Sequence, residues 1–343
     1  MARVAWPVLA AAVALVAFLL GVMAYEQLAL GWHFAREDVP GDSAYFWLRG
    51  AVNATLSFAL VWSLSRTAAN KLPPLSQTVI TLSWAVMAAA AAALALLAAD
   101  PALYQLVGAE DGAIEWLTAL LLLLASVGMA LKLRQSLRTG KGPWRRLHII
   151  GAVGFAALFF LMAGEEVSWF QRVVGFDTPD VVAQRNWQGE FNFHNFQTDL
   201  TELALYTGTG IFLMLLPLVR AALGHWRIVA PIRNLLPDHS VAALSAPMLI
   251  FTYSHWNLLP VRSAFFIGLA VCLAFALLAR RDGKPGEARL WTALTIFVAL
   301  GQILHLALGH TMVAMYDSSE YRELFLALGL AAYGWQQWRS ARA

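Results

Sequence analysis

Ten apolar stretches, each about as long as a helix needs to cross a bilayer, divide this chain and fix its solvent. They lie near 6–25, 46–65, 77–98, 113–133, 147–166, 200–219, 240–256, 263–279, 290–311 and 321–338. Charged residues make up 13% of the chain, against about a quarter in soluble domains, so the stretches are not the buried half of a water-soluble fold. The expectation is an all-α, polytopic transmembrane bundle of about ten helices, a single integral membrane domain over 1–343. The run at 6–25 exceeds a signal-peptide core and is read as a retained helix. The alanine-rich run 87–99 is read as a face for close helix packing.

The short basic clusters between the stretches set the orientation. With alternating spans and Arg3 inside, the inner segments hold 18 of the 24 Lys and Arg, among them Arg66, Lys71, Arg145, Arg146, Arg280 and Arg281. That predicts both termini in the cytoplasm. The same division puts all acidic residues but Asp238, Asp282 and Glu287 on the outer side, a bias that insertion does not require. The basic residues form no continuous stripe, which argues against nucleic acid as a partner and leaves the lipid bilayer itself. The lone Cys272 can form neither an internal disulfide nor a thiolate metal site.

The longest segment outside the spans, near 167–199, is too long for a hairpin and rich in aromatics, so it is expected to fold back onto the outer helix ends. On a helix, Glu165, Ser168, Trp169 and Arg172 would share one face, with Arg172 in reach of Glu165. Glu166 points elsewhere. Paired carboxylates at the end of an apolar span are costly unless they meet a wet cavity or a partner. Further on, polar and aromatic residues alternate from Glu190 to Phe196, and Glu190, Asn192 and His194 fall on one side of a strand. A helix would also pair Glu190 with His194, and a carboxylate beside an imidazole suits a general base or a metal ligand. Glu165, Glu166, Glu190 and His194 are therefore the candidate catalytic residues, and Ser168, Trp169, Arg172, Asn192 and Asn195 the candidate substrate contacts.

Other polar residues arrive at the same depth. Asp199 to Glu202 and Asp317 to Glu320 have capping-box spacing and read as helix caps. His194, His255, His305 and His310 supply nitrogen donors that, with the glutamates, could hold zinc with an open position. No H-E-x-x-H motif accompanies them, and the five-residue spacing of His305 and His310 is poor for joint ligation from one helix. His148, His225 and His239 fall on the cytoplasmic side.

The run Glu165-Glu166-Val167-Ser168-Trp169-Phe170-Gln171-Arg172, followed by Gly175-Phe176-Asp177-Thr178-Pro179 and by Asn186, Gln188, Glu190, Asn192, His194 and Asn195, resembles a family of uncharacterised bacterial polytopic membrane proteins. Glu110-Asp111-Gly112 with Glu115-Trp116 is similar to the opening of that family's preceding helix. The resemblance covers about 110–196 and implies a multi-pass protein of the bacterial inner membrane. A fainter similarity is to transmembrane hydrolases of the alkaline ceramidase and adiponectin receptor type, from which this chain departs by about three extra spans. The functional expectation is an enzyme, a hydrolase or group transferase, acting on a lipid or lipid-linked substrate at the periplasmic face. A proton- or ion-coupled transporter, a haem or quinone carrier and an assembly protein are the alternatives.

Overall fold

The computed structural model describes residues 2–68, 70–110, 112–139, 143–186, 189–314 and 317–340; the side chains of 2–5, 139, 194 and 317 fall outside that description. Among the described residues the chain is helical without a strand. The α-helices are α1 (Ala2–Ala29), α2 (Ala44–Ser65), α3 (Gln77–Ala99), α4 (Pro101–Val107), α5 (Ala113–Thr139), α6 (Arg145–Glu166), α7 (Gln171–Val174), α8 (Asp180–Ala183), α9 (Thr198–Gly210), α10 (Leu216–Leu223), α11 (His239–Ser245), α12 (Leu259–Arg281), α13 (Pro285–Leu308) and α14 (Asp317–Ser340).

Among the described residues, seven stretches are long and apolar enough to cross a membrane: α1, α3, α5, α6, α9 running through a π-helical turn at Ile211–Leu215 into α10, α12 and α13. Helices α2 and α14, at 22 and 24 residues, have spanning length but carry more polar side chains. The expected span at 240–256 is not one helix. It consists of α11, a 3-10 turn at Ala246–Leu249 and then non-helical chain. Pro247 cannot continue an α-helix, and 241–255 is buried, so protein rather than lipid surrounds the irregular backbone.

Hydrogen bonds gather the chain at two ends. At one end Leu72 N donates to Asp282 Oδ2 (2.8 Å), Leu75 N to Glu287 Oε1 (3.0 Å), Asp238 N to Gln336 Oε1 (2.9 Å) and Tyr333 Oη to the Leu235 carbonyl (2.6 Å). The three acids expected among the inner basic residues, Asp238, Asp282 and Glu287, thus tie loops to helix ends. At the other end Arg49 pairs with Glu26, and Asn257 accepts from Gly41 N (2.9 Å) and donates to the Val39 carbonyl (2.6 Å). Those bonds pin the α1–α2 connection against residues 254–257.

Helices α5 and α14 meet through small residues. A Cβ on Gly128 would lie 2.6 Å from the Gly334 carbonyl carbon, so only glycine permits this approach. At its start α14 is braced by α4: Tyr321 stacks on Tyr104 with ring centres 4.2 Å apart and donates to the Tyr104 carbonyl (2.8 Å). This fixes where the carboxylates of the first α14 turns point.

Candidate functional site

Helix α6 ends at Glu166 because the next turn is left-handed. Ser168, Trp169 and Phe170 have φ of 43°, 54° and 62°, a conformation costing about 1–2 kcal/mol per L-residue. Side-chain bonds hold it. Trp169 Nε1 donates to Glu165 Oε1 (2.7 Å) with its indole folded over Gly164, and Ser168 Oγ donates to Glu190 Oε2 (2.5 Å). The expected helical face of Glu165, Ser168, Trp169 and Arg172 therefore does not form, and Arg172 pairs with Glu190 instead of Glu165.

The folded-back segment is built from its own polar groups. Asn192 Nδ2 donates to Ser168 Oγ (3.0 Å), Asn186 Nδ2 to Asn192 Oδ1 (2.6 Å), and Phe193 N to Glu165 Oε2 (2.6 Å). Residues 190–196 form bends and a 3-10 turn at His194–Phe196, so neither the strand nor the α-helix considered for them forms. Edge-to-face contacts run from Phe176 through Phe191 and Phe193 to Phe196. Glu165, Glu190, Ser168, Trp169, Arg172 and Asn192 thus hold the segment together. The His194 side chain lies outside the described residues.

Glu166 goes elsewhere. Its carboxylate joins those of Glu320 and Glu323, with one oxygen of each within 4.8 Å of the others. Glu320 and Glu323 are three apart and share a face of α14. Tyr206, one turn after Glu202 on α9, donates its hydroxyl to Glu323 Oε1 (2.5 Å), and the Arg322 guanidinium sits 4.1 Å from the Tyr206 ring centre. The Tyr206 ring also meets His255 in a T-shaped contact, with ring centres 4.7 Å apart.

His255, 1% exposed, is the hub of a second group. Its Nε2 contacts Glu37 Oε1 (2.5 Å) and Glu202 Oε2 (3.2 Å), and its Nδ1 lies 2.9 Å from Ser254 Oγ. Burial by itself would discharge both partners of the His255–Glu37 contact. The hydrogen bonds and mutual attraction outweigh it, holding the imidazole above and the Glu37 carboxyl below their ordinary values.

Both groups border one cavity of about 1130 Å³, walled by Glu37, Glu166, Glu202, Glu320 and Glu323 together with apolar Leu161, Met162 and Leu205. Glu165 near the end of α6 and Asn195 from the folded-back segment also line it. Either trio has donor spacing that a divalent cation could bridge: two carboxylates and an imidazole suit a transition metal, three carboxylates a hard ion such as magnesium. Of the histidines considered for zinc, His255 belongs to one of these trios, and the His194 side chain lies outside the described residues. His305 is buried between Phe251 and Tyr253, and His310 is exposed in the turn Gly309–Thr311.

Sequence reasoning gave no role to Glu37, Tyr206 and Arg322, and read Glu202 and Glu320 as caps. The available signal was the pairing of Glu320 with Glu323 and of Glu202 with Tyr206 at helical spacing. No protein-family model, curated protein or solved structure matches this chain.

Proposed function

We propose that this protein is a membrane-embedded hydrolase or group transferase acting on a lipid or lipid-linked substrate. The observation that carries the reading is the convergence of Glu37, Glu166, Glu202, Glu320 and Glu323, from the α1–α2 loop, α6, α9 and α14, around a cavity that also has apolar walls, with His255 of the 250–258 turn in contact with Glu37 and Glu202. Such a chamber suits an amphiphile, with the reactive headgroup among the acids and the chain against Leu161, Met162 and Leu205.

Glu166, Glu320 and Glu323 repel one another unless a proton or a cation lies between them. A proton held there is available to a leaving group, which gives Glu166 the part of general acid. Glu202, oriented by His255, is placed to accept a proton from a nucleophilic water or hydroxyl, and Tyr206 and Glu323 connect the two groups. A divalent cation in either trio would add polarisation of the scissile bond.

The proposed setting is a bacterial inner membrane, with both termini cytoplasmic, about ten passes and the chamber facing the periplasm. The inner clustering of Lys and Arg supports it, as does the gathering of loops at two ends, with α11 and its 3-10 extension as the seventh pass. A proton-coupled transporter is the competing reading, favoured by the interrupted seventh pass and the π-helical turn at Ile211–Leu215. Titratable groups crowded at one end favour catalysis.

The test uses purified full-length protein in nanodiscs containing a bacterial lipid extract, with products followed by mass spectrometry. Wild type is expected to convert a lipid species, and Glu166→Gln and Glu202→Gln to lose the conversion while eluting as the wild type does. Conversion undiminished in both variants, or proton flux into liposomes without any conversion, overturns the proposal.

A further inference from the structure

A second cavity, of about 870 Å³, lies at the opposite end of the molecule, and its chemistry is the reverse of the first. Lys71, Arg220, Arg233 and Arg339 line it against a single acid, Asp238. The Asp238 carboxylate is already occupied, accepting from Ser240 N (2.9 Å) and Ser240 Oγ. Among the described residues Lys71, Arg233 and Arg339 form no ion pair. The wall also carries apolar Leu82, Val86, Leu328 and a half-exposed Trp335.

We propose that this cavity binds the headgroup of an anionic phospholipid. The phosphate sits among Arg220, Arg233, Lys71 and Arg339, and the acyl chains run along Leu82, Val86 and Trp335. The site is independent of the chamber at the other end and stands or falls without it.

The experiment measures displacement of fluorescent phosphatidylglycerol from the full-length protein in a neutral detergent. The competitors are phosphatidylglycerol, phosphatidylcholine and inorganic phosphate. Phosphatidylglycerol is expected to compete, and phosphatidylcholine and inorganic phosphate to be ineffective. Arg233→Gln and Lys71→Gln should each weaken phosphatidylglycerol about fivefold. Equal competition by phosphatidylcholine, or unchanged affinity in both charge variants, overturns the proposal. Inorganic phosphate matching phosphatidylglycerol would identify a soluble phosphate ligand and overturn the lipid assignment.

Discussion

Breaking the buried Glu26–Arg49 pair should cost more than removing it altogether. The Arg49 and Glu26 side chains are 4% and 7% exposed, so neither charge can turn to water when its partner is lost. Arg49 Nη2 donates to the Asn257 carbonyl (2.6 Å), its guanidinium lies 4.5 Å from the Phe46 ring centre, and Tyr45 Oη donates to Glu26 Oε1 (2.8 Å). Glu26→Gln leaves a buried guanidinium without its counter-charge, and Arg49→Met leaves a buried carboxylate with Tyr45 alone. Each should destabilise by about 3–5 kcal/mol. The double variant removes both charges, so its loss should be smaller than that of either single change. The assay is the monodisperse fraction by fluorescence-detected size exclusion after stepped heating in detergent. Single variants matching wild type, or losses that simply add in the double variant, would refute the reasoning. Because Asn257 is two residues from His255, the single variants should also release the α1–α2 loop that carries Glu37.

Gly128→Val is expected to abolish folded yield, because its Cβ would meet the Gly334 backbone, whereas Gly154→Val, with open space at its Cβ, should express normally; size exclusion compares them. The His255–Glu37 interaction should stabilise the protein fully only between about pH 4.5 and 6.5. Glu37, with its pKa lowered, loses its contribution as pH falls below its ordinary 4.5, and His255, with its pKa raised, loses its own as pH rises above its ordinary 6.5. Melting temperatures across pH should show a decline on both sides of that window that is reduced in His255→Gln. In a Cys272→Ser background, a cysteine at exposed Phe193 should react with a membrane-impermeant maleimide from the periplasmic side, and one at His225 only after the membrane is opened. The reverse pattern would invert the proposed orientation.

The helices were legible in the sequence where an unbroken apolar run is long enough to span, as in α3, α6 and α12, whose apolar lengths match the expected spans within a few residues. The stretch 240–256 misleads because a segment enclosed by protein can be apolar without being helical, and Pro247 interrupts it. The fold-back after α6 was legible from its length and aromatics. Its internal pairing was not, because helical spacing says nothing across three left-handed residues. Of the candidate site, Glu166 lines the cavity and His255 contacts two of its carboxylates; Glu165 also lines it but is engaged by Trp169 and Phe193, and Glu190 is spent on Ser168 and Arg172. Glu202 and Glu320 look like caps in one dimension. Their partners, His255 and Glu166, come from helices and turns distant in the chain, and only packing brings them together.

The most direct measurement is a lipid profile of cells lacking this protein, re-supplied with wild type or with Glu202→Gln at matched abundance. The account predicts that a lipid or lipid-linked species accumulates in the deletion strain, returns to normal with wild type, and stays elevated with Glu202→Gln. Full restoration by Glu202→Gln would contradict it.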